Sequence, residues 1–175
     1  MAELERQPSS GGWRPATLEE VVERRNALRR FKDAEIECGV VKSAGYTCAD
    51  AKAVGYTCEQ ARIGGYTLQE SREAGWSLRE LRSAGYIEGL KASGFTVGEA
   101  RAAGYTCFES KAGGYFTSCG DAKVAGYTCA EAERAGYTIA EAKAAGYTPQ
   151  QCNNADFSHE DIRSAGWAAQ SWDVW

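Results

Sequence analysis

The tetrad AGYT returns along this chain at intervals of ten residues, and that period constrains the fold more than any other feature. Units cut before the aromatic begin at Tyr46, Tyr56, Tyr66, Trp76, Tyr86, Phe95, Tyr105, Tyr115, Tyr127, Tyr137, Tyr147, Phe157 and Trp167. Ten of the first twelve are ten residues long; YIEGLKASG is one short and YFTSCGDAKVAG two long. The consensus runs aromatic, Thr/Ser, Cys/aliphatic, variable, Glu/Asp/Gln, Ala, Lys/Arg, variable, Ala, Gly.

Each column has a physical role. Thr47, Thr57, Thr67, Thr106, Thr128, Thr138 and Thr148, with Ser77, Thr96 and Ser158, stand where a helix N-cap belongs. An acid or Gln follows three residues later, which completes a capping box. The closing Gly supplies the left-handed residue of a helix stop. Acid near the start and Lys or Arg near the end match the helix dipole. The aromatic follows the stop and precedes the next cap, so one ring clamps two successive helices. Pro149, directly after Thr148, fits the first helical position, where its missing N–H costs nothing.

The spacing predicts units of about seven helical residues and a turn of about three. Helices this short do not persist alone in water and must stack on neighbours. The expected fold is all-α: an α-solenoid of very short helices from ten-residue repeats, with a longer N-terminal helix. Third, sixth, ninth and aromatic positions face the axis; fourth, seventh and eighth face water. A β-solenoid would lack alternating β-branched residues and leave the Thr-x-x-Glu and Ala-Gly columns unexplained. Residues 1–16 read as a flexible arm and 17–35 as a capping helix with an apolar stripe of Val21, Val22, Ala27, Leu28 and Phe31. Residues 36–166 form the repeat array, and 167–175 a Trp-rich cap or tail. The unit at Tyr147, with Gln151, Asn153 and Asp156 in place of Glu, Lys and Gly, is where the array should loosen.

The decapeptide Lys/Arg-x-Ala-Gly-Tyr/Phe-Thr/Ser-x-x-Glu-Ala resembles short tandem repeats in proteins of algae, other protists and large viruses. The resemblance spans residues 36–166. It implies a helical repeat array with a binding or scaffolding role, and it carries over no catalytic residue. If the source is algal, a chloroplast or photosynthetic complex is the expected setting.

Composition narrows the function classes. A net charge of −4 with interleaved acids and bases argues against nucleic-acid binding. No apolar run reaches membrane-spanning length. The polar, acidic opening MAELERQPSS reads as no export signal, and seven cysteines, an odd number, read as reduced thiols in an intracellular, reducing compartment, cytoplasm or organelle. Cys38, Cys48, Cys58, Cys107, Cys119 and Cys129 share the third column with Leu68, Leu78, Val97 and Ile139; Cys152 falls in the sixth. Interchange with Leu and Val favours small buried hydrophobes over a thiol ladder. No Cys-x-x-Cys marks a zinc site. His159, the one histidine, lacks a nucleophile partner and reads as a surface residue. Gly64-Gly65 and Gly113-Gly114 put Gly in the Ala column, which suits close packing better than phosphate binding.

The expected function is a non-catalytic, protein-binding scaffold or linker, an accessory subunit of a larger assembly, without a cofactor or metal. Candidate partner-binding residues are Phe108, Phe116 and Val124, read as one exposed patch, with Trp172 and Trp175 at the C-terminus and Trp13 in the arm. A metal- or redox-responsive protein using the cysteine columns is the alternative. An ice-binding protein with free Thr hydroxyls is the third reading.

Overall fold

The computed structural model describes residues 16–167, which divide into two compact units, 16–75 and 76–167. The described residues are helical and form no strand. The first unit holds α1 (Leu18–Asp33), α2 (Cys38–Ser43), α3 (Cys48–Ala53), α4 (Cys58–Ile63) and α5 (Leu68–Glu73). The second holds α6 (Leu78–Ser83), α7 (Val97–Ala102), α8 (Cys107–Ala112), α9 (Cys119–Val124), α10 (Cys129–Arg134), α11 (Ile139–Ala144), α12 (Pro149–Asn153) and α13 (His159–Ser164). The all-α reading holds, and so does the longer N-terminal helix. The short helices carry six residues rather than seven, and α12 only five. The arm, and with it Trp13, lies outside the described residues, as do Trp172 and Trp175.

The capping boxes form as the sequence implies. Thr106 is typical: its hydroxyl accepts the Glu109 N–H at 3.2 Å and donates to the Glu109 carboxylate at 2.9 Å. The same carboxylate accepts the Thr106 N–H at 2.7 Å. Each such cap contributes about 1 kcal/mol. The stops are Schellman motifs. At Gly65 (φ 86°), the Gly65 N–H donates to the Arg62 carbonyl and the Tyr66 N–H to the Ala61 carbonyl. Two stops depart from this. Glu35 ends α1 in the same left-handed conformation (φ 56°), at a steric cost that a Gly would avoid. Asp156 does not adopt it, and the Phe157 N–H instead turns back to the Ala155 carbonyl.

Successive helices touch, but the broader contacts skip one. In the first unit α2 packs on α4, and α3 on both α1 and α5; in the second α8 packs on α10, α9 on α11 and α10 on α12. Two repeats therefore complete one turn of the coil within each unit. The sixth column forms the axis. Ala51, Ala61, Leu81, Ala100, Ala122, Ala132, Ala142, Cys152 and Ile162 are all buried there. Ser71 and Ser110, polar members of the same column, are also buried, and each has a partner: Cys48 Sγ at 3.6 Å and the Tyr127 hydroxyl at 2.9 Å.

Small residues permit the close approach of stacked helices. A Cβ added to Gly64 would stand 2.7 Å from the backbone of Cys38 and Gly39 on α2. A Cβ on Gly113 would stand 2.8 Å from Leu90. Both double glycines are therefore packing features, as the Ala column suggested.

Candidate interaction surface and the groups that build it

The aromatic and basic columns tie each turn to the next. The tyrosine hydroxyl donates to a backbone carbonyl two units back: Tyr56 to Ile36 at 2.7 Å, Tyr66 to Tyr46 at 2.7 Å, Tyr147 to Tyr127 at 2.6 Å. In the opposite direction, the seventh-column cation reaches two units forward. The Lys42 ammonium donates to the Gly65 carbonyl at 2.7 Å and lies 4.8 Å from the Tyr66 ring centroid. Lys52 donates to Gly75 at 2.7 Å, Lys123 to Gly146, and Lys143 to Ala165 and Gly166. These cations cover orphan carbonyls at helix C-termini and rest on π faces. α1 joins the scheme: Arg24 donates to the Gly45 carbonyl at 2.8 Å and lies over the Tyr46 ring. The expectation that the seventh column faces water holds at Arg62, Arg72, Arg101 and Lys111, which are exposed, and is corrected at four lysines. Lys42, Lys52, Lys123 and Lys143 are half-buried straps, held by what they bond two units ahead.

Ion pairs reinforce some straps. Lys42 meets Glu70 at 2.9 Å, and Arg82 meets Glu109 at 3.2 Å. Burial tends to raise both carboxyls. Hydrogen bonds from their capping partners and their cations more than offset it, and both are held below the ordinary value of 4.5.

The consensus polar groups are therefore engaged in building the coil. Hydroxyls serve caps, carboxylates serve boxes and cations serve straps. The Thr hydroxyls, exposed as residues, are bonded on both sides where Thr donates to its box carboxylate, as at Thr47, Thr106, Thr128 and Thr138. The thiols are buried. Burial pushes Cys38, Cys107 and Cys119 up to about 11, so they stay protonated and unsuited to nucleophilic or metal chemistry near neutrality. Among the described residues, no group of three or more His, Cys, Asp or Glu is arranged to hold a metal ion. His159 Nε2 lies 2.8 Å from Asn153 Oδ1, on the surface.

Among the polar residues on the outside, a few large apolar side chains also face outward. Val124 is 91% exposed and Phe108 58%. Phe116 is the correction: it is only 8% exposed, with its ring edge-on to Tyr127 at 5.6 Å. The two extra residues of its unit fold inward instead of bulging outward. Phe108 and Val124 stand on α8 and α9, and the buried Phe116 is no part of an exposed patch with them. In the first unit Ile63 is 71% exposed and Val40 is exposed beside it in the same stack, since α4 packs on α2. Val40 was hidden from sequence reasoning by the degenerate unit IECGVVKSAG. On α1 only Leu28 of the expected stripe is fully buried; Leu18, Val21 and Val22 are exposed along one face at helical spacing.

The family described as the decapeptide repeat region matches residues 45–117 and 116–173. The chain belongs to the decapeptide repeat family. No curated protein and no solved structure matches it significantly. The family match covers every strap, cap and axis residue from Gly45 onward, so the n-to-n+2 scheme describes how this decapeptide builds a coil. Among the described residues, no helix is long and apolar enough to cross a membrane.

Proposed function

We propose that this decapeptide repeat protein is a non-catalytic scaffold that binds protein partners through apolar side chains on its outer surface, as an accessory subunit of a larger assembly. The observation that carries this reading is the division of labour among side chains. The repeated hydroxyls, carboxylates and cations serve the coil itself, whereas Leu18, Val21, Val22, Phe108 and Val124 point outward and serve no described internal contact of that kind. Large apolar side chains held rigidly in water on a polar background are the usual anchors of a protein contact.

The test uses two outer-surface variants of the full chain, Leu18→Ser with Val22→Ser and Phe108→Ser with Val124→Ser. Circular dichroism should match wild type, since these side chains are exposed. Proteins co-purifying from the native source should be lost from one or both variants. An unchanged partner set in both would contradict the proposal.

A further inference from the structure

Within each unit, the stacking register gives a third-column side chain an opposite number. It meets the sixth column of the unit two ahead. Cys48 meets Ser71 this way, at 3.6 Å and 23 residues' separation. By the same register Cys38 is placed against Ala61, Cys107 against Ala132 and Cys119 against Ala142. Cys129 differs, because the sixth position of the unit at Tyr147 is Cys152. Their sulfurs lie 3.2 Å apart, buried in the core of the second unit.

We propose that Cys129 and Cys152 are a redox-sensitive pair that closes to a disulfide when the chain meets hydrogen peroxide, locking α10 to α12. A disulfide needs its sulfurs at about 2.05 Å, so closure shortens the observed separation by about 1.2 Å.

Access comes through α12. It is the shortest helix of the second unit. It has five residues, no base in its last turn to strap a later carbonyl, and no acid in its first turn. Its stop lacks the left-handed Gly, since Asp156 occupies that position. Repeat arrays open from such places, in units. Opening of α12 carries Cys152 into water. Burial raises that thiol and the hydrogen bond from Cys129 lowers it, so loss of burial on opening favours the reactive thiolate.

The chemistry balances in two steps. The Cys152 thiolate attacks one peroxide oxygen; the O–O bond breaks, hydroxide leaves and is protonated to water, and sulfur becomes a sulfenic acid. Burial raises the Cys129 thiol, so it attacks that sulfur as it passes its proton to the departing oxygen; the S–S bond forms, the S–O bond breaks, and the oxygen leaves as a second water. Two thiols lose two electrons in total and one peroxide gains them. A dithiol reductant reverses the link.

The full chain, treated with graded hydrogen peroxide, alkylated and digested with trypsin without reduction, tests this. Cys129 and Cys152 fall in separate tryptic peptides, residues 124–134 and 144–163. The expected result is one cross-linked peptide pair, loss of two of the seven alkylatable thiols, and a melting midpoint raised by about 5–10 °C. Dithiothreitol should restore all three to their starting values. Cys152→Ala, which installs the residue common in that column, should fold and keep its remaining thiols alkylatable at the same dose. The proposal is overturned if Cys129 and Cys152 both stay alkylated while other cysteines oxidise. It is equally overturned if Cys152 passes to sulfinic acid without a link, or if Cys152→Ala loses thiols as fast as wild type.

Discussion

The unit spanning 16–75 keeps the ten-residue period from Tyr46 onward, while the unit spanning 76–167 breaks it twice and still obeys the same contacts. In the first unit Tyr56 and Tyr66 each reach a carbonyl twenty residues back. In the second, Tyr105 reaches nineteen back across the nine-residue unit, and Tyr127 twenty-two back across the twelve-residue one. The short unit forgoes its helix. It crosses as a turn that buries Leu90 in the axis and donates the Lys91 N–H to the Gly113 carbonyl at 3.2 Å. The long unit keeps its helix and folds Phe116 inward, and Asp121 collects the N–H groups of both Thr117 and Ser118 at 2.9 Å. What the fold conserves is the contact two units away and the filled axis. The period of ten is only the commonest way to satisfy both.

One position records the cost of the insertion. Tyr137, which follows the long unit by two repeats, is buried with no hydrogen-bond partner for its hydroxyl. Its ring still takes the Lys111 ammonium at 4.0 Å, so the strap survives where the hydroxyl contact does not.

These differences order the expected effects. Phe116→Ala should cost the second unit about 3–5 kcal/mol, read by chemical denaturation, because a packed ring is removed from a buried site. Phe108→Ala, at an exposed ring of the neighbouring repeat, should cost under about 0.5 kcal/mol. Equal losses would mean that the inserted residues do not pack as described. In the regular unit, Gly64→Ala should cost about 1–3 kcal/mol, since its methyl meets backbone that cannot rotate away. The smallest contrast is between two tyrosines. Tyr147→Phe should cost about 1 kcal/mol by orphaning the Tyr127 carbonyl, whereas Tyr137→Phe should be neutral or slightly stabilising. A matched loss at both would show that the insertion leaves the hydroxyl ladder intact.

Much of this fold is legible in the sequence, because caps, boxes and stops are local. Thr106 and Glu109 are three residues apart, and Arg62 and Gly65 likewise, so short-range spacing reveals them. The tie from Lys42 to Gly65 is different. Its partner is 23 residues away, and nothing local to Lys42 separates a strap from a dipole-matching base on a wet surface. Only the number of repeats per turn decides between them, and a consensus does not state that number. The outer surface was legible in part. Phe108 and Val124 stand out because their columns are otherwise mostly polar or Ala. Phe116 belongs to no column, and the spacing alone could not show that its unit folds inward. Leu18, Val21 and Val22 have the spacing of a core stripe, yet the described contacts of α1 cover Leu28 and leave them outside.

The central claim is that each repeat is held by the repeat two units away. Nuclear Overhauser measurements on chains labelled selectively at Lys and Tyr address it most directly, through Lys42, whose ammonium binds the Gly65 carbonyl that closes the repeat two units ahead and lies 4.8 Å from the ring of Tyr66, the residue directly after it. The expected result is a strong cross-peak between the Lys42 side chain and the Tyr66 ring, lost in Lys42→Ala. Cross-peaks joining Lys42 only to the ring of the adjacent repeat, Tyr46, would contradict it.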